Sequence, residues 1–237
     1  MLAKNPRSGK VGRKGKRNSR AGFWNVDNQF VILLSLLVLA VFVVLFSGYL
    51  YAENLITTIQ YETYASASLS FGFPLLVFTY LVRRKGGIRN VIRSLGLGRD
   101  KLSPRSLYLG ILLFVAILAL EIGMGVFQQV TNISLPTNVA AIYAGFPIWF
   151  FVFTFTIAPF NEEVLFRGFL VPRIGIIFSA LIFALFHLSY LSIAELIGAF
   201  AYGLLAGYVF KKNNSLYSTI LAHALINLLA VVSLFLL

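Results

Sequence analysis

The sequence predicts an all-α polytopic membrane protein with about seven transmembrane helices, on three observations. Of its 237 residues 59% are hydrophobic and only 12% charged, a balance foreign to soluble domains. Apolar runs of about twenty residues, the length that crosses a bilayer as helix, recur along most of the chain. These runs are continuously apolar and do not alternate every second residue, which argues against a membrane β-barrel.

Taken in order, the first span is expected at 30–50 and the second at 64–82. A basic cytoplasmic loop at 83–105 follows, then a third span at 107–130 and an external segment at 131–145 that has no Lys or Arg. The fourth span, at 146–172, carries an acidic pair. The fifth is expected at 174–188, the sixth at 193–210 and the seventh at 216–237. Ser192-Ile-Ala-Glu195 reads as a capping box opening the sixth. Glu121 stands near the middle of the third, as a protonated structural group or as part of a polar cavity.

The net charge of +12 is unevenly placed. Eight basic residues fall within 1–20 and eight within 83–105, together 16 of the 20 in the chain. The positive-inside rule then puts the N-terminus in the cytoplasm, 83–105, Arg173 and Lys211-Lys212 on the same side, and the C-terminus outside. Residues 1–22 read as a basic, disordered cytoplasmic tail able to attract anionic lipid. No specific nucleic-acid partner is expected. The run at 30–50 is too long for a signal peptide and should remain as an anchor. Residues 23–237 form the transmembrane domain.

Chemistry-bearing side chains gather in the last third of the chain. Both histidines, His187 and His223, lie in apolar segments, as do Glu162, Glu163, Arg167 and Asn227. An ionisable group at bilayer depth costs roughly 2.5–3.5 kcal/mol on insertion scales, so it persists mainly where it pairs or works. On a helix, Arg167 projects within about 40° of Glu163 but about 140° from Glu162. Glu163 and Arg167 are thus the neutralising i,i+4 pair. Glu162 must look to another helix and suits a general base or acid. Pro159 and Asn161 suggest a kink or a break, which would start a half-helix at the acids and aim backbone N–H groups into the cavity. Phe183 lies one turn before His187, where its ring can fix the imidazole. His223 and Asn227, also four apart, can both donate to a developing oxyanion.

Composition removes other hydrolytic chemistries. There is no cysteine, hence no thiolate nucleophile, and the two aspartates, Asp27 and Asp100, lie outside the spans. No His-Glu-x-x-His zinc motif or Gly-x-Ser-x-Gly elbow occurs. Water activated by Glu and His remains, with or without a metal.

Glu162-Glu163-x-x-x-Arg167, Phe183-x-x-x-His187 and His223-x-x-x-Asn227, in that order on successive helices, resemble the CPBP family of intramembrane endopeptidases. This is the Abi group, with type II CAAX-prenyl endopeptidases and bacteriocin-processing enzymes. The likeness spans 158–227, from Ala158-Pro159-Phe160-Asn161 onward. It implies that Glu162 and His187 activate the water, that His223 and Asn227 stabilise the oxyanion, and that Glu163 and Arg167 hold the site in shape. It also implies a glutamate-dependent, metal-free peptidase, with zinc the alternative, in the cell membrane of a prokaryote. The substrate would be a peptide or lipidated protein cut near the cytoplasmic face. A non-hydrolytic transporter or immunity scaffold, using the polar cluster as a relay or structural core, is the reading from another class.

Overall fold

The computed structural model describes residues 72–135, 146–190 and 192–236, with scattered positions between 35 and 61. The described helices belong to one compact unit, Ala40–Leu237. The basic tail, most of the first two expected spans and most of the external segment lie outside the described residues.

Among the described residues the secondary structure is helical throughout. Helix α1 spans Phe73–Lys85 and ends on Gly86 at φ 73. The expected loop at 83–105 is not irregular: α2 occupies Ile88–Ser94 and a 3-10 turn Arg99–Lys101. Helix α3, Pro104–Thr131, begins with proline in its first turn and a reciprocal Ser103–Ser106 capping box, which together satisfy the first free amides. Helix α4 covers Ile148–Glu163, a π-helical turn Val164–Leu170, and α5 Val171–Phe186. Helix α6, Ile193–Asn213, starts where Ser192 Oγ accepts from the Glu195 amide at 3.2 Å, the Ser192 half of the expected box. Asn214, at φ 49, and Ser215 turn the chain into α7, Leu216–Leu236.

Among the described residues, four helical stretches are long and apolar enough to cross a membrane: Pro104–Thr131, Ile148–Phe186, Ile193–Asn213 and Leu216–Leu236. The second, 39 residues, is not one rod. Ser179 Oγ donates to Phe166 O at 2.9 Å, although 13 residues of straight helix span about 20 Å. The chain therefore folds back between them, at Gly175, whose φ of 84 and ψ of 173 only glycine adopts freely. This reversal is the boundary expected between the fourth and fifth spans.

The expected break at Pro159 does not occur. Helix α4 runs through the proline, and both acids close it without opening a new one. The chain widens past them instead, in the π turn, all seven residues of which are buried. A proline in a membrane helix is tolerated when neighbours take up the carbonyls it frees or tilts. Here the carbonyl left without its amide is that of Phe155, and Asn227 of α7 binds the neighbouring one, donating to Thr154 O at 2.7 Å.

Small residues set the packing. A Cβ on Gly203 would lie 2.7 Å from Ala180 Cβ, so α5 and α6 touch nearly backbone to backbone. At the turn between α6 and α7, the Leu216 amide donates to Gly96 O at 3.1 Å, Ser215 Oγ to Lys101 O and Tyr217 OH to Leu97 O, both at 3.0 Å. The stretch after α2 is thus stapled to the end of the bundle bearing Lys211 and Lys212. Ile176, beside Arg173 and Gly175, packs on Gly207, one turn before Lys211. Basic residues from three separate stretches so share one end. Outward faces stay apolar, with Leu112, Phe127, Phe178, Leu185 and Phe235 exposed, as contact with lipid requires.

Candidate active site

The site is built by α4 with its π turn, α5, α6 and α7, and its centre is a buried carboxylate. Glu163 Oε1 receives Arg167 Nη1 at 2.8 Å, the Tyr202 hydroxyl at 3.0 Å and His223 Nδ1 at 3.0 Å. Arg167 keeps its charge in any protein environment, so Glu163 beside it is a carboxylate and its other partners must donate. The guanidinium lies over Phe183 at 4.4 Å and over Tyr202 at 4.7 Å from each ring centre. Both rings face it with their electron-rich surfaces, a desolvated cation–π pairing. The Tyr202 hydroxyl also reaches Thr219 O at 2.9 Å, tying α6 to α7.

Glu162 behaves differently, as its place on the helix predicts. Its side chain is 25% exposed, against 0% for Glu163, and its Oε2 stands 3.8 Å from His223 Nε2. It is the one carboxylate of the pair that a substrate can reach. His223, on α7, is therefore bracketed by two carboxylates, one at each ring nitrogen. About 10 Å of helix separate it from Leu216 at the basic end, so the site lies inside the apolar span but toward that end.

His187 ends α5, where its Nδ1 meets Phe183 O at 2.9 Å. A carbonyl can only accept, so this nitrogen carries the proton and Nε2 is left as an acceptor. Phe183 stands between the two imidazoles, its centre 4.6 Å from His187 and 5.8 Å from His223. No carboxylate among the described residues pairs with His187, so its union with Glu162 is not a direct bond. Asn227 lies one turn beyond His223, but its amide nitrogen already serves Thr154 O. The second N–H and the oxygen of Asn227 remain for other work.

The structure thus joins Glu162, Glu163, Arg167 and His223 directly, sets Phe183 among them, and places His187 and Asn227 at the margins. Glu121 faces outward on α3 and Glu195 opens α6. Sequence reasoning missed Tyr202, Thr219 and Thr154. One signal was present for Tyr202: it lies on the stripe Ala199, Gly203, Ala206, Gly207 that α6 buries, where a hydroxyl needs a partner. For Thr219 and Thr154 the contributing atoms are backbone carbonyls, which no side-chain pattern reveals. Among the described residues no three His, Asp or Glu side chains converge as a metal ion would require.

Residues 144–229 match the family described as type II CAAX prenyl endopeptidase Rce1-like. No curated protein and no solved structure matches the chain. The matched residues contain α4 through most of α7, with every side chain of the site. The family suggests CAAX-type intramembrane protease activity and a membrane-associated peptide as substrate, and the four apolar helices suggest an integral membrane protein. This match, over 86 of the 237 residues, supports a likeness to the CPBP/CAAX protease family.

Proposed function

We propose that the protein is a glutamate-dependent, metal-free endopeptidase of a prokaryotic cell membrane, acting on a lipidated or membrane-associated peptide near the cytoplasmic face. The observation that carries this reading is the division of labour within the acid pair. Glu163 is buried and takes three donors on one oxygen, whereas Glu162, on the adjacent position, is partly open and faces an imidazole. A structural polar core would need only the first arrangement. A carboxylate left beside an imidazole at a reachable surface is what water activation needs.

In this reading Glu162 takes a proton from the attacking water, and His187, with Nε2 as acceptor, helps orient that water. The free N–H of Asn227, together with His223, faces the carbonyl oxygen as negative charge develops there. Glu163, Arg167 and Phe183 hold the imidazoles in place. The positive-inside rule assigns the basic end, and so access to the site, to the cytoplasm.

The test is a comparison of peptides released from membranes bearing the wild-type chain or Glu162→Gln. A set of peptides that appears only with wild type, sharing a cleavage position, supports the reading. Identical peptide populations would favour a transporter or scaffold.

A further inference from the structure

We infer that His223 carries the proton between the attacking water and the leaving amine, in addition to facing the oxyanion. The inference rests on the peptidase reading above and adds a step to it.

His223 Nδ1 meets a fixed acceptor. Its partner at 3.0 Å, Glu163 Oε1, is already committed as a carboxylate to Arg167 at 2.8 Å and can only accept. Nδ1 therefore bears hydrogen, and neutral His223 presents a bare lone pair at Nε2. Nε2 lies 3.8 Å from Glu162 Oε2. Two acceptors facing one another are at ease only with a proton or a donor between them. A water oxygen about 2.8 Å from each fits across this gap. A neutral His223 in this tautomer has no N–H with which to stabilise an oxyanion; it gains one only by taking up a proton.

Glu163 lies at Nδ1 and Glu162 at Nε2, two carboxylates against the single cation of Arg167, and the tilted Tyr202 ring is centred 4.9 Å away. A buried carboxylate on the far nitrogen steadies the imidazolium without taking its proton. His187 differs: its Nδ1 is held by a neutral carbonyl, which offers an imidazolium no countercharge.

The step balances as follows. Water oxygen bonds to the scissile carbon while the carbonyl pair moves onto oxygen, and one water proton passes to Glu162 Oε2. Glu162 hands it to His223 Nε2, giving an imidazolium that faces the oxyanion. The carbonyl re-forms, the C–N pair leaves on nitrogen, and Nε2–H delivers the proton to that nitrogen. Amine and acid depart, with Glu162 ionised and His223 neutral again.

A proton donor matters most where the leaving group is a poor one. The experiment uses a prenylated Cys-a-a-X peptide, or a released membrane peptide from the comparison above, beside an activated aryl ester of the same acyl group. His223→Gln, whose amide can still donate to Glu163, should slow amide hydrolysis by roughly 10²–10⁴-fold. Its loss on the ester should be at least about tenfold smaller, whereas Asn227→Ala should slow both alike. Equal losses on amide and ester for His223→Gln would overturn the proton-carrying role while leaving the peptidase reading intact. If that variant does not fold, the wild type decides: a solvent deuterium isotope effect larger on the amide than on the ester supports the role, and equal effects overturn it. A wild-type chain that cleaves no peptide removes the peptidase reading, and this step with it.

Discussion

Arg167 and Glu163 form a fully buried ion pair, 2.8 Å between Nη1 and Oε1, with the guanidinium held between Phe183 and Tyr202. Neither partner has water to fall back on, so removing either strands a charge. Glu163→Gln should destabilise the protein by about 3–5 kcal/mol, read as a loss of thermal stability in detergent together with activity. Arg167→Lys should rescue little, because an ammonium lacks the planar face that lies between two rings. A Lys variant of wild-type stability would show that charge alone matters here.

Glu162→Gln should have the opposite profile. Its carboxylate is partly open and bonded to none of the groups that hold the site together, so thermal stability should stay near that of wild type. Hydrolysis should fall by roughly 10²–10⁴-fold. Measured turnover equal to wild type would reassign the base.

Tyr202→Phe isolates the hydroxyl. The ring over Arg167 is kept, while the bonds to Glu163 and Thr219 are lost. A hydrogen bond to a charged group contributes about 1.5–3 kcal/mol, and the variant should lose stability on that scale. A variant indistinguishable from wild type in thermal unfolding would mean the hydroxyl is dispensable.

Gly203→Leu should separate α5 from α6, since even a Cβ would sit 2.9 Å from the Ala180 backbone. Because α5 carries Phe183 and His187, the expected result is lost activity along with poorer stability. The paired change at Ala180 to Gly should recover part of both. No recovery would place the defect elsewhere.

Metal and orientation can be tested without mutating the site. Purified protein should keep its activity through exhaustive chelation; stoichiometric zinc whose removal and return switch activity off and on would reverse that view. Single cysteines at Ser134 and Leu236 should label from outside and one at Lys212 from the cytoplasm, with no native thiol to confuse the result. Deleting residues 1–20 should leave hydrolysis unchanged and alter only orientation or attraction to anionic lipid.

The sequence by itself determined what local periodicity and composition can encode. Long apolar runs became α3 to α7, the i,i+4 spacing of Glu163 and Arg167 became their ion pair, and Glu162 turned toward another helix as its angle required. These follow from the helix repeat and the cost of charge in lipid, which neighbours cannot change. Tertiary structure decided the rest. Pro159 did not break its helix, and Asn227, 73 positions along from Thr154, came close enough to donate to that carbonyl. The reversal fell at Gly175, and the widening at Val164–Leu170, where the packing of α5 on the π turn placed them. Above all, the partner of each imidazole nitrogen was set by contact: Glu163 and His223 lie 60 residues apart. Spacing along a chain says which groups share a helix face, but only the packing of one helix on another brings a donor to its acceptor.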